Sequence, residues 1–203
     1  MKALAILGAS GHGKVVADCA ELCGWQSVVF FDDAWPSLTM NGRWPVAGDT
    51  ASLLQSLADY DGVIVAIGNN AIRFDKLKEL QQVQAPLVSL VHPAATVSRY
   101  AQVGLGSVVF AGAVVNVDAV LSQGVIVNTS SSVDHDCVLG DCVHVSPGAR
   151  IAGGVKIGAR SWIGIGASVR QLVTVAEDVT VGAGAAVVKN VDVGRTVMGV
   201  PAR

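Results

Sequence analysis

A strict period of six runs through the second half of this chain and limits its fold more than any other feature. Positions 97, 103, 109, 115, 121, 127, 133, 139, 145, 151, 157, 163, 169, 175, 181, 187 and 193 are all Val, Leu or Ile. Four residues after each comes a small residue or a valine, as at Ala101, Ser107, Ala113, Cys137 and Ala149. Glycine often follows the aliphatic position directly, at Gly104, Gly140, Gly158, Gly164 and Gly182. A hexapeptide period is the signature of a β-helix, in which each hexad makes a short strand and a turn and three hexads close one triangular coil. The aliphatic residue fills the interior, the small residue fits the narrowing corner, and glycine is expected to supply turn conformations that side chains resist. Each coil buries its face only by stacking on its neighbours, and valine suits a crowded, extended backbone. Residues 97–198 would form between five and six coils, with no insertion interrupting the register.

Composition closes off other classes. The chain has 203 residues, of which 51% are hydrophobic and 15% charged, so intrinsic disorder is excluded. Mean hydropathy of +0.52 suggests a membrane protein, yet no run of about 18 uninterrupted apolar residues exists. The net charge is −2 and evenly spread, leaving no basic stripe for nucleic acid or an anionic membrane. The amino terminus, MKALAILGASGHGK, lacks an export-signal cleavage pattern and reads as a strand. The four cysteines, Cys19, Cys23, Cys137 and Cys142, show no C-x-x-C spacing. They read as buried apolar residues of a reducing cytoplasm, and no metal site is expected.

The first half follows another grammar. Apolar strands over 2–8, 27–31 and 62–67 alternate with helical segments near 14–23, 50–57 and 70–82, the second capped by Asp49 or Thr50. Alternation of this kind implies a parallel sheet with helices, a small Rossmann-like domain over residues 1–90, with the β-helix over 91–203. Ligands in such sheets bind beyond the carboxyl ends of the strands. Three polar turns fall there: Gly8-Ala9-Ser10-Gly11-His12-Gly13, Asp32-Asp33 and Gly68-Asn69-Asn70. The first has the spacing G-x-x-G-x-G, not the dinucleotide fingerprint G-x-G-x-x-G, which argues against NAD. A glycine turn at a helix amino terminus still presents free N–H groups to a phosphate. Asp32 and Asp33 could accept hydrogen bonds from a ribose or base, or be solvated loop carboxylates.

On the solenoid, most hexads carry nothing reactive. The exception is Asn128-Thr129-Ser130-Ser131-Ser132-Val133-Asp134-His135-Asp136-Cys137, with His144 half a coil further on. An imidazole beside a carboxylate is a suitable general base, because the carboxylate fixes the tautomer and raises basicity. The alternative is a surface histidine paired to either aspartate. A zinc site of three histidines has little support, since the repeat contains only His135 and His144. Cys137 falls on an inward position and is a poor nucleophile candidate.

These stretches together resemble the bacterial sugar acetyltransferases of the PglD/NeuD type. GASGHGKVV, FFDD, AIGNNAIR, NTSSSVDHDCVLGDCVHVSPGA and the closing MGVPAR carry the resemblance, which covers essentially the whole chain. It implies a left-handed β-helix and a homotrimer with active sites between adjacent subunits. It implies acetyl-CoA as co-substrate and a nucleotide-linked amino sugar, of the UDP-4-amino-sugar type, as acceptor. His135 resembles the catalytic base and Asp136 the adjacent carboxylate, where the better-known amino-sugar enzyme has glutamate; Asp134 could share that role. His144, Gly153, Ile165 and Ala183 match acetyl-CoA positions, and Asn128 a wall of the acceptor site. Ser10, Gly11, His12, Asp32, Asp33, Gly68, Asn69 and Asn70 match nucleotide-sugar positions. A sugar O-acetyltransferase and a non-catalytic sugar-nucleotide-binding solenoid remain the competing readings.

Overall fold

The computed structural model describes residues 2–203. The chain divides into two compact units, Met1–His92 and Pro93–Arg203.

The first unit holds a five-stranded sheet in the order β3-β4-β2-β1-β5. Its strands are β1 (Ala3–Leu7), β2 (Ser27–Phe31), β3 (Met40–Asn41), β4 (Trp44–Gly48) and β5 (Gly62–Val65), with helices α1 (Gly11–Leu22), α2 (Thr50–Gln55) and α3 (Asn70–Gln82). β1 is fully buried from Leu4 to Leu7 and pairs in parallel with β2 on one side and β5 on the other. The order therefore reverses at β1, which opens a crevice at the carboxyl ends of β1 and β5. β3 and β4 were not expected from the sequence. β4 carries Pro45 and pairs antiparallel with the two-residue β3, so it lacks the unbroken apolar run that marks the central strands. Asp49 is the cap of α2, its Oδ1 accepting from the Ser52 N–H at 2.8 Å.

In the second unit the hexads become two-residue strands stacked in three parallel sheets, strands up to Ser168–Val169 pairing with the one 18 residues later. The inward residues, among them Val109, Val127, Val145, Ile163 and Val181, form one continuous buried column with the small residues Ala113, Cys137 and Ala149. The architecture is the left-handed parallel β-helix of the hexapeptide repeat. No helix of the chain, among the described residues, is long and apolar enough to cross a membrane.

Two expectations about the repeat need correction. Left-handed backbone falls not directly after the aliphatic residue but three positions after it, at every sixth residue from Gly106 to Gly184. Half of those slots hold side chains, including Asp118, Asp136, Arg160, Leu172 and Asp178. The glycines directly after the aliphatic residue answer a different demand, close approach. A Cβ on Gly164 would come 2.5 Å from the Val181 carbonyl oxygen of the next coil. The register also shortens at the end. Val191 pairs with Val175 and Val197 with Val181, sixteen residues on instead of eighteen. Val193, expected to point inward, is 61% exposed. The Asn190 Oδ1 accepts from the Thr174 N–H at 2.9 Å, so a side chain takes up a ladder bond where the coil is cut short.

Candidate active site

His135 stands at the corner that follows the strand Ser132–Val133. Its Nδ1 lies 2.7 Å from Asp136 Oδ2. The left-handed slot of the hexad holds Asp136 (φ +60), and Asp is among the residues that tolerate this conformation. With Nδ1–H donating to Asp136, Nε2 keeps its lone pair and is the nitrogen left for a substrate proton. The hydrogen bond to Asp136 raises the imidazole pKa above its ordinary value, with the nearby carboxylate charges adding to it. Asp134 is engaged elsewhere: its Oδ1 accepts from the His135 backbone N–H and from Asn116 Nδ2, each at 2.8 Å. Asp134 thus holds the backbone of the turn, while Asp136 contacts the ring.

The next coil supplies the floor. Gly153 lies beneath His135, and a Cβ there would meet Cε1 and Nε2 at 2.5 Å, so only glycine leaves room for the ring. Gly154 donates its N–H to the His135 carbonyl at 2.9 Å. Together with Gln171 and Leu172 these residues line a cavity of about 290 Å³. Gln171 and Leu172 were not expected from the sequence. Their signal is position alone, since they stand one coil below Gly153 and Gly154 in the register that pairs Arg150 with Ser168. Leu172 occupies a left-handed slot (φ +62), which disfavours a side chain, and is 78% exposed. The same corner continues downward to a cleft of about 440 Å³ whose lining includes Lys189, Arg195 and Arg203.

The remaining solenoid candidates sit apart from that cavity. His144 is buried on a strand between Ile126 and Trp162, its Nε2 3.1 Å from Asn128 Nδ2 and its ring 4.1 Å from the Trp162 ring. Ile165 and Ala183 stack on another corner, joined by the Gly184 N–H to Ile165 carbonyl bond, and both are exposed. Cys137 is buried, and burial pushes its thiol above the ordinary range. Among the described residues no group of three His, Cys, Asp or Glu side chains could hold a metal ion.

A second cavity, of about 260 Å³, opens at the sheet reversal of the first unit. It is lined by Gly8 and Ser10 after β1, Asp32 and Asp33 after β2, Ile67 and Gly68 after β5, and Lys76 of α3. Gly8 (φ +112) lets the first and third turns press together, since a Cβ there would lie 2.8 Å from the Ala66 carbonyl oxygen. Ser10 is the N-cap of α1 but makes no side-chain cap, so its hydroxyl is not used by the helix. Gly11 and His12 form the first turn of that helix; the pKa of His12 is lowered to about 4, by burial and then by the charge of Arg73.

The two aspartates are distinct. Asp32 accepts from the N–H groups of Ala9 and Ala34, tying the β2 turn to the β1 turn. Asp33 accepts from the Thr50 N–H and lies 3.4 Å from Lys76 Nζ; the Thr50 bonds first, then Lys76, hold its carboxyl below the usual range. Asn69 caps α3, accepting from the N–H groups of Ala71 and Ile72. Asn70 is buried against Arg73. Lys76 and Arg73 were not singled out in the sequence, because a cation on a helical face ordinarily reads as solvated.

The comparisons bear on both units. The PglD N-terminal domain family model matches residues 3–80. The acetyltransferase domain of PglB from Neisseria gonorrhoeae FA1090, solved with acetyl coenzyme A, is 46% identical, covers 100% of this chain and 98% of its own, and superposes with a TM-score of 0.95. The chain belongs to the PglD-type sugar acetyltransferases. PerB from Caulobacter crescentus, solved with CoA and GDP-perosamine, is 34% identical over 100% of this chain and 97% of its own, again with a TM-score of 0.95. A UDP-N-acetylbacillosamine N-acetyltransferase of Bacillus subtilis (strain 168) is 32% identical over 108 residues, 52% of this chain. That match spans only about half of the curated relative's length, 50%. This chain thus has a sheet-reversal cavity in its first unit and an Asp-His-Asp corner in its β-helix.

Proposed function

We propose that this PglD-type chain transfers acetyl from acetyl-CoA to the amino group of a nucleotide-linked amino sugar, of the UDP-4-amino-sugar type, for surface glycan or glycoprotein synthesis. The observation that carries the reading is His135 held at 2.7 Å by Asp136 over the glycine floor of an open cavity. The sugar amine attacks the thioester carbonyl carbon, the C–N bond forms and His135 Nε2 takes the proton. The C–S bond then breaks and CoA leaves as the thiol, reprotonated by the imidazolium. General-base help of this kind is worth roughly 10²–10⁴-fold, and backbone N–H groups of a neighbouring coil stabilise the tetrahedral oxyanion. The buried Cys137 gives no reason to invoke an acyl-enzyme.

In this reading Gly153, His144, Ile165 and Ala183 contact acetyl-CoA, and Asn128 forms a wall of the acceptor site. Lys189, beneath His135 on the same corner, lines a cleft with Arg195 and Arg203, and these cations suit its phosphates. Ser10, Gly11, His12, Asp32, Asp33, Gly68, Asn69 and Asn70 shape the nucleotide-sugar pocket, some by lining it and some by holding its turns. The working unit is a cytoplasmic homotrimer, for which light scattering in solution is the check. The decisive experiment is thiol release from acetyl-CoA with a panel of UDP- and GDP-linked amino sugars and their hydroxyl counterparts. Release with amines alone supports the proposal. Release with hydroxyl acceptors alone makes the chain an O-acetyltransferase, and none with any acceptor makes it a binding module.

A further inference from the structure

Arg73 is the bulkiest fully buried side chain among the described residues, at 0% exposure. It rises from the first turns of α3, and its guanidinium reaches back to the β5–α3 turn. Nη1 donates to the Ile67 carbonyl at 2.7 Å and to the Gly68 carbonyl at 3.1 Å, while Nη2 donates to Asn70 Oδ1 at 2.7 Å. Ile67 and Gly68 are walls of the sheet-reversal cavity. An arginine in a protein interior carries a large desolvation cost, and an apolar residue of similar volume is often no less stabilising. Core stability alone gives no reason for a charge at this position.

Two consequences follow from the geometry. The fork engages two carbonyl dipoles of the turn, so these oxygens are held by the protein and do not meet an incoming anion. The charge is also felt at the first turn of α1, where after burial it is the second cause of the lowered pKa of His12. The positive end of that helix and the guanidinium then act on the same crevice. A positive field held in place, with its carbonyls turned to the cation, suits a diphosphate.

We infer that Arg73 is a positioning residue for the diphosphate of the nucleotide sugar: it sets the Ile67–Gly68 wall and supplies fixed positive potential without touching the ligand. This rests on the proposed nucleotide-sugar reading of the first unit. The test is titration calorimetry of the full chain and its variants with UDP, GDP, uridine, guanosine and acetyl-CoA. Wild type binding neither UDP nor GDP overturns the nucleotide reading itself, and this inference with it. Given wild-type binding, Arg73→Met is expected to weaken the diphosphate by about tenfold, the scale of losing one unit charge that acts through space at a part-buried site. Nucleoside and acetyl-CoA affinities should change far less, and Arg73→Lys should recover part of the loss by restoring the charge. A merely structural arginine would instead lower all affinities together with the melting temperature, with no rescue by lysine. That result, or wild-type diphosphate affinity in Arg73→Met, overturns the inference. Should both variants fail to fold, Asn70→Ala decides it: loosened diphosphate binding supports the role of the fork, and unchanged binding overturns it.

Discussion

The two units hold polar groups in opposite ways. In the β-helix each hexad repeats one steric demand, so the proposed site stands out as a departure from the repeat: the Asp134-His135-Asp136 corner, the glycine floor at Gly153, and the leucine in the left-handed slot at 172. In the sheet domain no repeat exists. Its pocket comes from generic strand–turn–helix grammar, and neighbouring residues of one turn take different work, as Asp32 and Asp33 do. A repeat separates scaffold from chemistry by residue position; a βα turn mixes them.

The sharpest way to break that separation is His135→Ala. As a departure from the repeat, it should lower kcat by roughly 10²–10⁴-fold, with acetyl-CoA affinity and melting temperature unchanged. Near-wild-type turnover in steady-state assays would remove His135 from the mechanism.

The reverse case is a pure scaffold position. Gly164→Ala places a methyl group against the Val181 carbonyl oxygen, backbone that the stacked coils cannot yield. A loss of about 1–3 kcal/mol is expected, the range for overpacking, read as a lower denaturant midpoint. Wild-type stability would show that the coils can separate locally.

Asp136→Asn sharpens the division within the Asp-His-Asp corner. In the proposed mechanism the base works when neutral, and Asp136 raises the His135 pKa, so the acid limb of kcat/KM in wild type is expected above the ordinary imidazole value. Removing the carboxylate should shift that limb to lower pH and lower the plateau, since the ring loses its anchor and basicity. An unmoved limb in the pH profile would assign the orienting role elsewhere.

The smallest effect is expected at Arg160, which bridges coils through Asp178 at 2.6 and 2.7 Å and reaches Glu177 at 3.2 Å. All three are partly exposed, so Arg160→Ala should cost about 0.5 kcal/mol, as for surface pairs. Arg160 holds the carboxyl of Asp178 below its ordinary pKa, so this contribution exists above that ordinary value and fades as pH falls through the lowered one. Thermal melts at neutral and acidic pH, compared between wild type and variant, check both statements.

Much of this was legible beforehand because periodic burial is a one-dimensional constraint. An inward aliphatic residue every six positions leaves one way to stack, and the coils from Val109 to Val187 follow it. Val193 breaks the pattern because the period continues in sequence while the last coil is cut two residues short, a slip that only the pairing to Thr180 and Val181 reveals. β3 and β4 escaped because Pro45 interrupts an already short strand.

The amino-acid sequence by itself determined the β-helix, the parallel sheet of the first half, the three polar turns and the Asp-His-Asp corner, because each follows from local spacing and residue type. Tertiary structure alone decided which polar atoms are already engaged. Asp136 rather than Asp134 meets the imidazole, Asn69 caps a helix while Asn70 holds a buried arginine, and Lys76 enters the cavity wall. The physical reason is competition. Nearly all buried donors and acceptors find a partner, and which partner wins depends on distances between segments far apart in the chain.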